Sequence, residues 1–318
     1  MRLNRRALGL CQQLIENADD LRIAVYHTPG QARVLDCGVD VPGGLEAGRR
    51  LAEICLSGLG QVELFPGGGR GRTPEVSVRT DQPVAACMAS QYAGWQIKHQ
   101  SYFAMGSGPM RAAAGREPLF DVIGCRESDG VAVGVLESSR LPPPEVCREI
   151  AEKCRVEPNA LTLLVAPTAS QAGTIQVVAR SVETALHKLH ELGFDLSRVE
   201  SGFGTAPLPP IAANDAEAMG WTNDCVLYGG EVTLWVRGED GELSDIAAKV
   251  PSTSSRDHGR PFARIMDRYA GDFYQIDPLL FGPAVVTFFN LDSGRSHCFG
   301  HTVPELLRES FGYGGSRV

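Results

Sequence analysis

Apolar and polar residues alternate along this chain with two periods, one near 3.6 and one near 2, and the switching between them predicts a fold of mixed α and β structure. In ARSVETALHKLHELGFD, residues 179–195, Val182, Ala185, Leu186, Leu189 and Leu192 fall on one side of a helix. Arg180, Glu183, His187 and His190 fall on the other. Ser181 is a candidate N-cap, and Glu183 in the first turn suits the helix dipole. The apolar side is core. The polar side taken alone reads as a solvated face, the ordinary state of such a surface.

The same periodicity predicts an opening helix, strands at RIAVYHT and ARVLDCG, a helix near GLEAGRRLAEICLSGL and a strand at QVELF. Further on, GVAVGVLE reads as a strand, PPEVCREIAEKC as a helix begun through prolines, and LTLLVAP as a buried strand. TIQVVA then feeds into the helix described above. CVLYGGEVTLWV and AVVTFFNLDSGRSHCF both resemble hairpins, turned at a Gly pair and at Asp-Ser-Gly, and a last helix starts near Thr302. The most linker-like stretch is ESSRLPPPEV. The expected organisation is therefore an α+β chain of two domains: residues 1–140, and residues 141–318 carrying the helix 180–193. A discontinuous domain would leave the same trace.

Composition narrows the function classes. The chain has 318 residues, 43% hydrophobic and 21% charged, which suits a folded protein of about two cores. A net charge of −8 argues against nucleic acid as the main partner. No apolar run reaches the roughly 20 residues that span a bilayer. The apolar residues of MRLNRRALGLCQQLIENADD are broken by Gln12, Gln13 and Glu16, which suits an amphipathic helix and not a signal peptide. A cytoplasmic location is expected. Nine cysteines without CxxC spacing read as free thiols. In HCFGH, His297, Cys298 and His301 are the nearest approach to a metal set, but a hairpin does not face all three one way.

Two glycine-rich stretches carry candidate chemistry. FPGGGRGRTPE, with Arg70 and Arg72, lacks the Lys-Ser/Thr of a phosphate-binding loop and is followed by a strand pattern, which removes support for ATP or NAD. In YFAMGSGPMRAAAG, Gly106, Ser107 and Gly108 lead into Pro109 at the start of a helix, whose free N–H groups with Arg111 could meet an anion. A plain helix start explains the same run equally well.

Taken together, YFAMGSGPMRA, VARSVETALHKLHELGFD, GTAPLPPIA, MGWTNDCVLYGG and RPFARIMDRYAGDFYQIDPLLFGPA resemble one family, the methenyltetrahydromethanopterin cyclohydrolases. The chain departs from that pattern at Met110, His258 and Gly282. The resemblance implies two α+β domains with a pocket between them, a homotrimer, and no metal or redox cofactor. It also implies reversible hydrolysis of the N5,N10-methenyl bridge of a tetrahydromethanopterin-type carrier to the N5-formyl compound. Arginine outnumbers lysine, which suits a GC-rich bacterium and a place in formaldehyde oxidation.

That chemistry assigns roles. The methenyl carbon lies between two nitrogens sharing a positive charge, so what it lacks is an oriented nucleophile. Water must lose a proton as it attacks, and a proton must reach N10 as the C–N bond breaks. The resemblance places both duties on Glu183, with Arg180 on the same helix face to hold the developing oxygen. For the carrier's phosphate-bearing tail the first candidates are Ser107, Gly108 and Arg111, with Lys98 and Arg70 behind them. Asn223 and Asp224 could meet the pterin's amide edge, or form an Asx turn leading into a strand. The rival readings are a formyl or hydroxymethyl transferase, and a non-catalytic protein binding the same carrier.

Overall fold

The computed structural model describes residues 1–67, 73–270 and 275–312. The chain forms two compact units, each discontinuous: residues 1–62 with 84–177, and residues 63–83 with 178–318. The first contains helices α1 (Leu3–Glu16), α2 (Ala18–Leu21), α3 (Leu45–Cys55), α4 (Met110–Ala114), α5 (Leu119–Ile123), α6 (Pro144–Cys154) and α7 (Gln171–Val178). Its strands are β1 (Ala24–His27), β2 (Arg33–Asp36), β5 (Trp95–His99), β6 (Tyr102–Ser107), β7 (Ala132–Glu137) and β8 (Leu161–Ala166). The strand β3 (Gly60–Phe65) leads into the second unit, which holds β4 (Glu75–Thr80), β9 (Val199–Pro207), β10 (Glu231–Val236), β11 (Val285–Asn290) and β12 (Ser296–Gly300). Its helices are α8 (Ser181–Glu191), α9 (Asp215–Gly229), α10 (Asp240–Ala247), α11 (Phe262–Arg268) and α12 (Pro304–Ser310).

In the first unit six strands lie in the order β1-β2-β8-β7-β6-β5. Pleating sends alternate residues to opposite faces. Leu35, Val133, Val135 and Leu164 pack with α1 and α3, through Ala7, Cys11, Leu14, Leu51 and Ile54. Val34, Leu136, Leu163 and Val165 pack with α4 and α6, through Met110, Val146, Cys147 and Ile150. Both faces of the central strands are covered, which is why LTLLVA, broken only by Thr162, reads as an apolar run and every one of its residues is buried.

The boundary expected near residue 140 is corrected here. β7 and β8 are parallel neighbours, and a parallel pair needs a long crossover, so the proline-rich stretch opens the α6 crossover inside the first unit. Pro144 stands at the first turn of α6, where its missing N–H costs nothing.

In the second unit the order is β12-β11-β10-β9-β4-β3. The β11–β12 hairpin turns through Asp292, Ser293 and Gly294 as expected, with Asn290 N–H bonded to the Arg295 carbonyl at 2.8 Å. CVLYGGEVTLWV is not a hairpin: residues 225–229 end α9, and only Glu231–Val236 is strand. The start of α9 lies well upstream, where the Asn214 side chain accepts from Glu217 N–H at 3.0 Å and the Glu217 carboxylate accepts from Ala213 N–H at 3.0 Å. Once nucleated there, the helix carries Thr222, Val226 and Tyr228 against their strand preference, because their burial outweighs a few tenths of a kcal/mol of propensity.

Candidate active site

Helix α8 opens where β9 lies too close to admit side chains. A Cβ on Gly204 would stand 2.4 Å from Ser181 Oγ, and one on Gly202 2.7 Å from Val182 Cγ1. Glycine permits that approach and seats the first turn of α8 on the sheet. Arg180 occupies the cap position, and its carbonyl accepts from the Thr184 N–H at 2.8 Å and the Thr184 hydroxyl at 2.9 Å. Ser181 is not the N-cap that its position suggests. It is the first helical residue, and its buried hydroxyl makes no hydrogen bond among the described residues.

Arg180 and Glu183 are each only 6% exposed. A solvated helix face does not bury a guanidinium and a carboxylate one turn apart, so the surface reading of these two residues fails. Such a pair can do two things: the carboxylate can take a proton and return it, and the guanidinium can hold an oxygen that gains charge. His187 and His190 are partly exposed, with His187 Nε2 3.8 Å from a Glu191 oxygen.

The expected phosphate contacts are placed otherwise. Arg111 is wholly buried: its guanidinium forms a forked pair with Glu117, donates to the Met88 carbonyl at 2.9 Å and lies over the rings of Tyr92 and Phe120. The buried Ser107 hydroxyl donates to the Val135 carbonyl at 3.4 Å and lies 3.3 Å from Cys55 Sγ. Gly108, at φ +85°, donates to the Ser90 carbonyl at 2.8 Å, and a Cβ there would press on β7. These three residues are built into the core around α4. Lys98 is exposed on β5 beside Phe103, and Arg70 lies outside the described residues.

Asn223 and Asp224 sit within α9, not in a turn before a strand. Asn223 bonds back within its own helix, donating to the Met219 carbonyl at 2.8 Å. Asp224 is fully buried; one oxygen accepts the Phe262 N–H that opens α11, at 2.8 Å, and the other accepts the Ser310 hydroxyl of α12. In this place it ties three helices together. In HCFGH, His297 turns to Asp240 at 3.3 Å, Cys298 is exposed, and the His301 ring faces His258 at 6.4 Å, so the three diverge.

One buried charge was not anticipated. Lys188 has no exposed surface, although lysine on a helix normally signals solvent. The signal in the sequence was its place between Ala185 and Leu189 near the apolar face.

A family model described as cyclohydrolase (MCH) matches residues 2–311. Proteins named methenyltetrahydromethanopterin cyclohydrolase are similar to this chain over nearly its whole length. That of Rhodopirellula baltica is 50% identical, covering 98% of this chain and 95% of its own. That of Methylobacterium sp. (strain 4-46) is 48% identical, covering 97% of each. That of Methylobacillus flagellatus is 45% identical, covering 98% of this chain and 95% of its own.

Proposed function

Because the chain belongs to the cyclohydrolase (MCH) family, we propose that it hydrolyses N5,N10-methenyl-tetrahydromethanopterin reversibly to the N5-formyl compound, with Glu183 as base and acid. The observation that carries the residue assignment is the burial of Arg180 at the cap of α8 and of Glu183 in its first turn. Water attacks the methenyl carbon while the Glu183 carboxylate takes its proton. The resulting carbinolamine holds its oxygen near the Arg180 guanidinium. Glu183 then returns the proton to N10, the C–N10 bond breaks, and the carbinol O–H proton is released to solvent as the formyl C=O forms on N5. The methenyl and formyl carbons are at the same oxidation level, so this sequence needs no oxidant or reductant.

We further propose that the enzyme works as a homotrimer, in the cytoplasm, on one-carbon units from formaldehyde oxidation. Among the described residues no helix is long and apolar enough to cross a membrane. Light scattering of the purified protein is expected to give about three times the chain mass of 34.1 kDa.

The activity is tested by following the near-ultraviolet absorbance of the methenyl carrier with wild type, Glu183→Gln and no enzyme. Rapid loss with wild type and a fall of about 10² or more in the variant, the range for a lost acid–base group, is expected. Equal rates for the two proteins would return Glu183 to a structural role.

A further inference from the structure

We propose that Lys188 is a positioning residue that bolts α8 to Ser254 and Leu279 and so sets where Arg180 and Glu183 stand. The inference rests on those two residues being the acting groups. Lys188 Nζ donates to the Leu279 carbonyl and, at 3.3 Å, to the Ser254 hydroxyl. Both acceptors belong to a braced frame. Ser254 donates onward to the Lys249 carbonyl at 2.9 Å. Leu279 lies in a short helical turn, Pro278–Leu280, whose N–H at Leu279 is capped by Asp277 at 3.1 Å. Asp277 also accepts from the Ser255 hydroxyl at 2.8 Å and the Arg256 N–H at 3.1 Å, and its own N–H goes to the buried Asp257 at 2.9 Å.

What the ammonium contributes is direction. Among the described residues it makes no ion pair, and its partners are two neutral oxygens. Burying a charge on such terms costs stability, and burial pulls the Lys188 pKa down to about 8 despite the field of Asp277. An apolar side chain would fill the space at less cost. It would leave α8 held by shape alone, free to rotate or slide in a way that hydrogen bonds to a fixed frame forbid. Glu183 and Lys188 lie on one unbroken helix, so the register of one is the register of the other.

Lys188→Met keeps the volume and removes the donors. Its melting temperature is expected to equal or exceed that of wild type, while kcat falls about tenfold to a hundredfold, as for a misplaced acting group, and KM moves far less. In a Glu183→Gln background the same change is expected to lower kcat by clearly less than in wild type, since only Arg180 is left to be misplaced. A folded Lys188→Met enzyme with wild-type kcat, beside a normal Glu183→Gln loss, overturns the inference alone. An equal loss with and without Glu183 overturns it too, because Lys188 then acts elsewhere. A full-rate Glu183→Gln enzyme overturns the reading of the pair and this inference with it. Should Lys188→Met not fold, Ser254→Ala removes one acceptor and is expected to lower kcat about threefold, the worth of one hydrogen bond; an unchanged kcat there overturns the inference.

Discussion

Asp224 shows what a single buried carboxyl does to the pH response of the molecule. Burial pushes its pKa up to about 7, against the pull of the Ser310 hydroxyl and the Phe262 N–H. Between about pH 4, where the unfolded chain loses this proton, and about pH 7, where the folded one does, folding takes up a proton. Stability from this group therefore declines as pH rises through that window, and the penalty is complete above it. An asparagine can accept from the Phe262 N–H and donate to Ser310 Oγ, so it keeps both bonds without the charge. Asp224→Asn is expected to melt higher than wild type at pH 8, by an amount on the order of a few kcal/mol at most, and to keep less than half of that advantage at pH 5. Melts at both pH values check it, and a gap that does not change with pH would show that another group titrates. The same residue marks a limit of reading sequence: Asp224 and Arg111 carry the right chemistry for a ligand, but burial depends on contacts with residues far along the chain, such as Ser310, and periodicity does not encode those.

At the scale of elements, the seating of α8 on β9 is the feature on which the site depends. Periodicity showed the apolar face of α8 correctly, through Val182, Ala185, Leu186 and Leu189, because one helix face packed on one sheet writes its own pattern. It did not show that Gly202 and Gly204 are the other half of the contact, since a glycine leaves no hydropathy signal. Nor did it separate the end of α9 from a hairpin, where β-branched and aromatic residues are helical. Gly204→Ala places a methyl group 2.4 Å from Ser181 Oγ, 3.0 Å from Val182 Cγ2 and 3.2 Å from Ser181 Cβ, so the first turn of α8 must give way. A loss of about 1–3 kcal/mol in denaturant unfolding is expected, the cost of overpacking, with a fall in kcat because Arg180 and Glu183 move with that turn. Gly9, inside α1, has nothing within 4 Å of its Cβ position. Gly9→Ala is therefore expected to stabilise by about 0.5–1 kcal/mol and leave kcat alone, which separates a steric seat from a general intolerance of alanine.

For the whole molecule, the order of strands matters more than the order of segments along the chain. β4 pairs with β9 from Glu75↔Pro207 to Thr80↔Gly202, so a strand supplied by residues 63–83 completes a sheet otherwise built after residue 178. Without it, β9 becomes an edge that presents unpaired N–H and C=O groups and the half-exposed Phe203, a surface prone to association. Periodicity found β4 as EVSVRT, but a cut near residue 140 assigns it to the wrong unit, since adjacency in sequence is a poor guide once a strand is inserted from outside. Residues 178–318 expressed alone are therefore expected to aggregate or to lack a cooperative thermal transition. Residues 60–83 joined by a flexible linker to 178–318 are expected to give a soluble protein with such a transition, followed by circular dichroism. A cooperative transition in the shorter chain would mean that α8 and its sheet do not need β4, and the second unit would then begin at residue 178 after all.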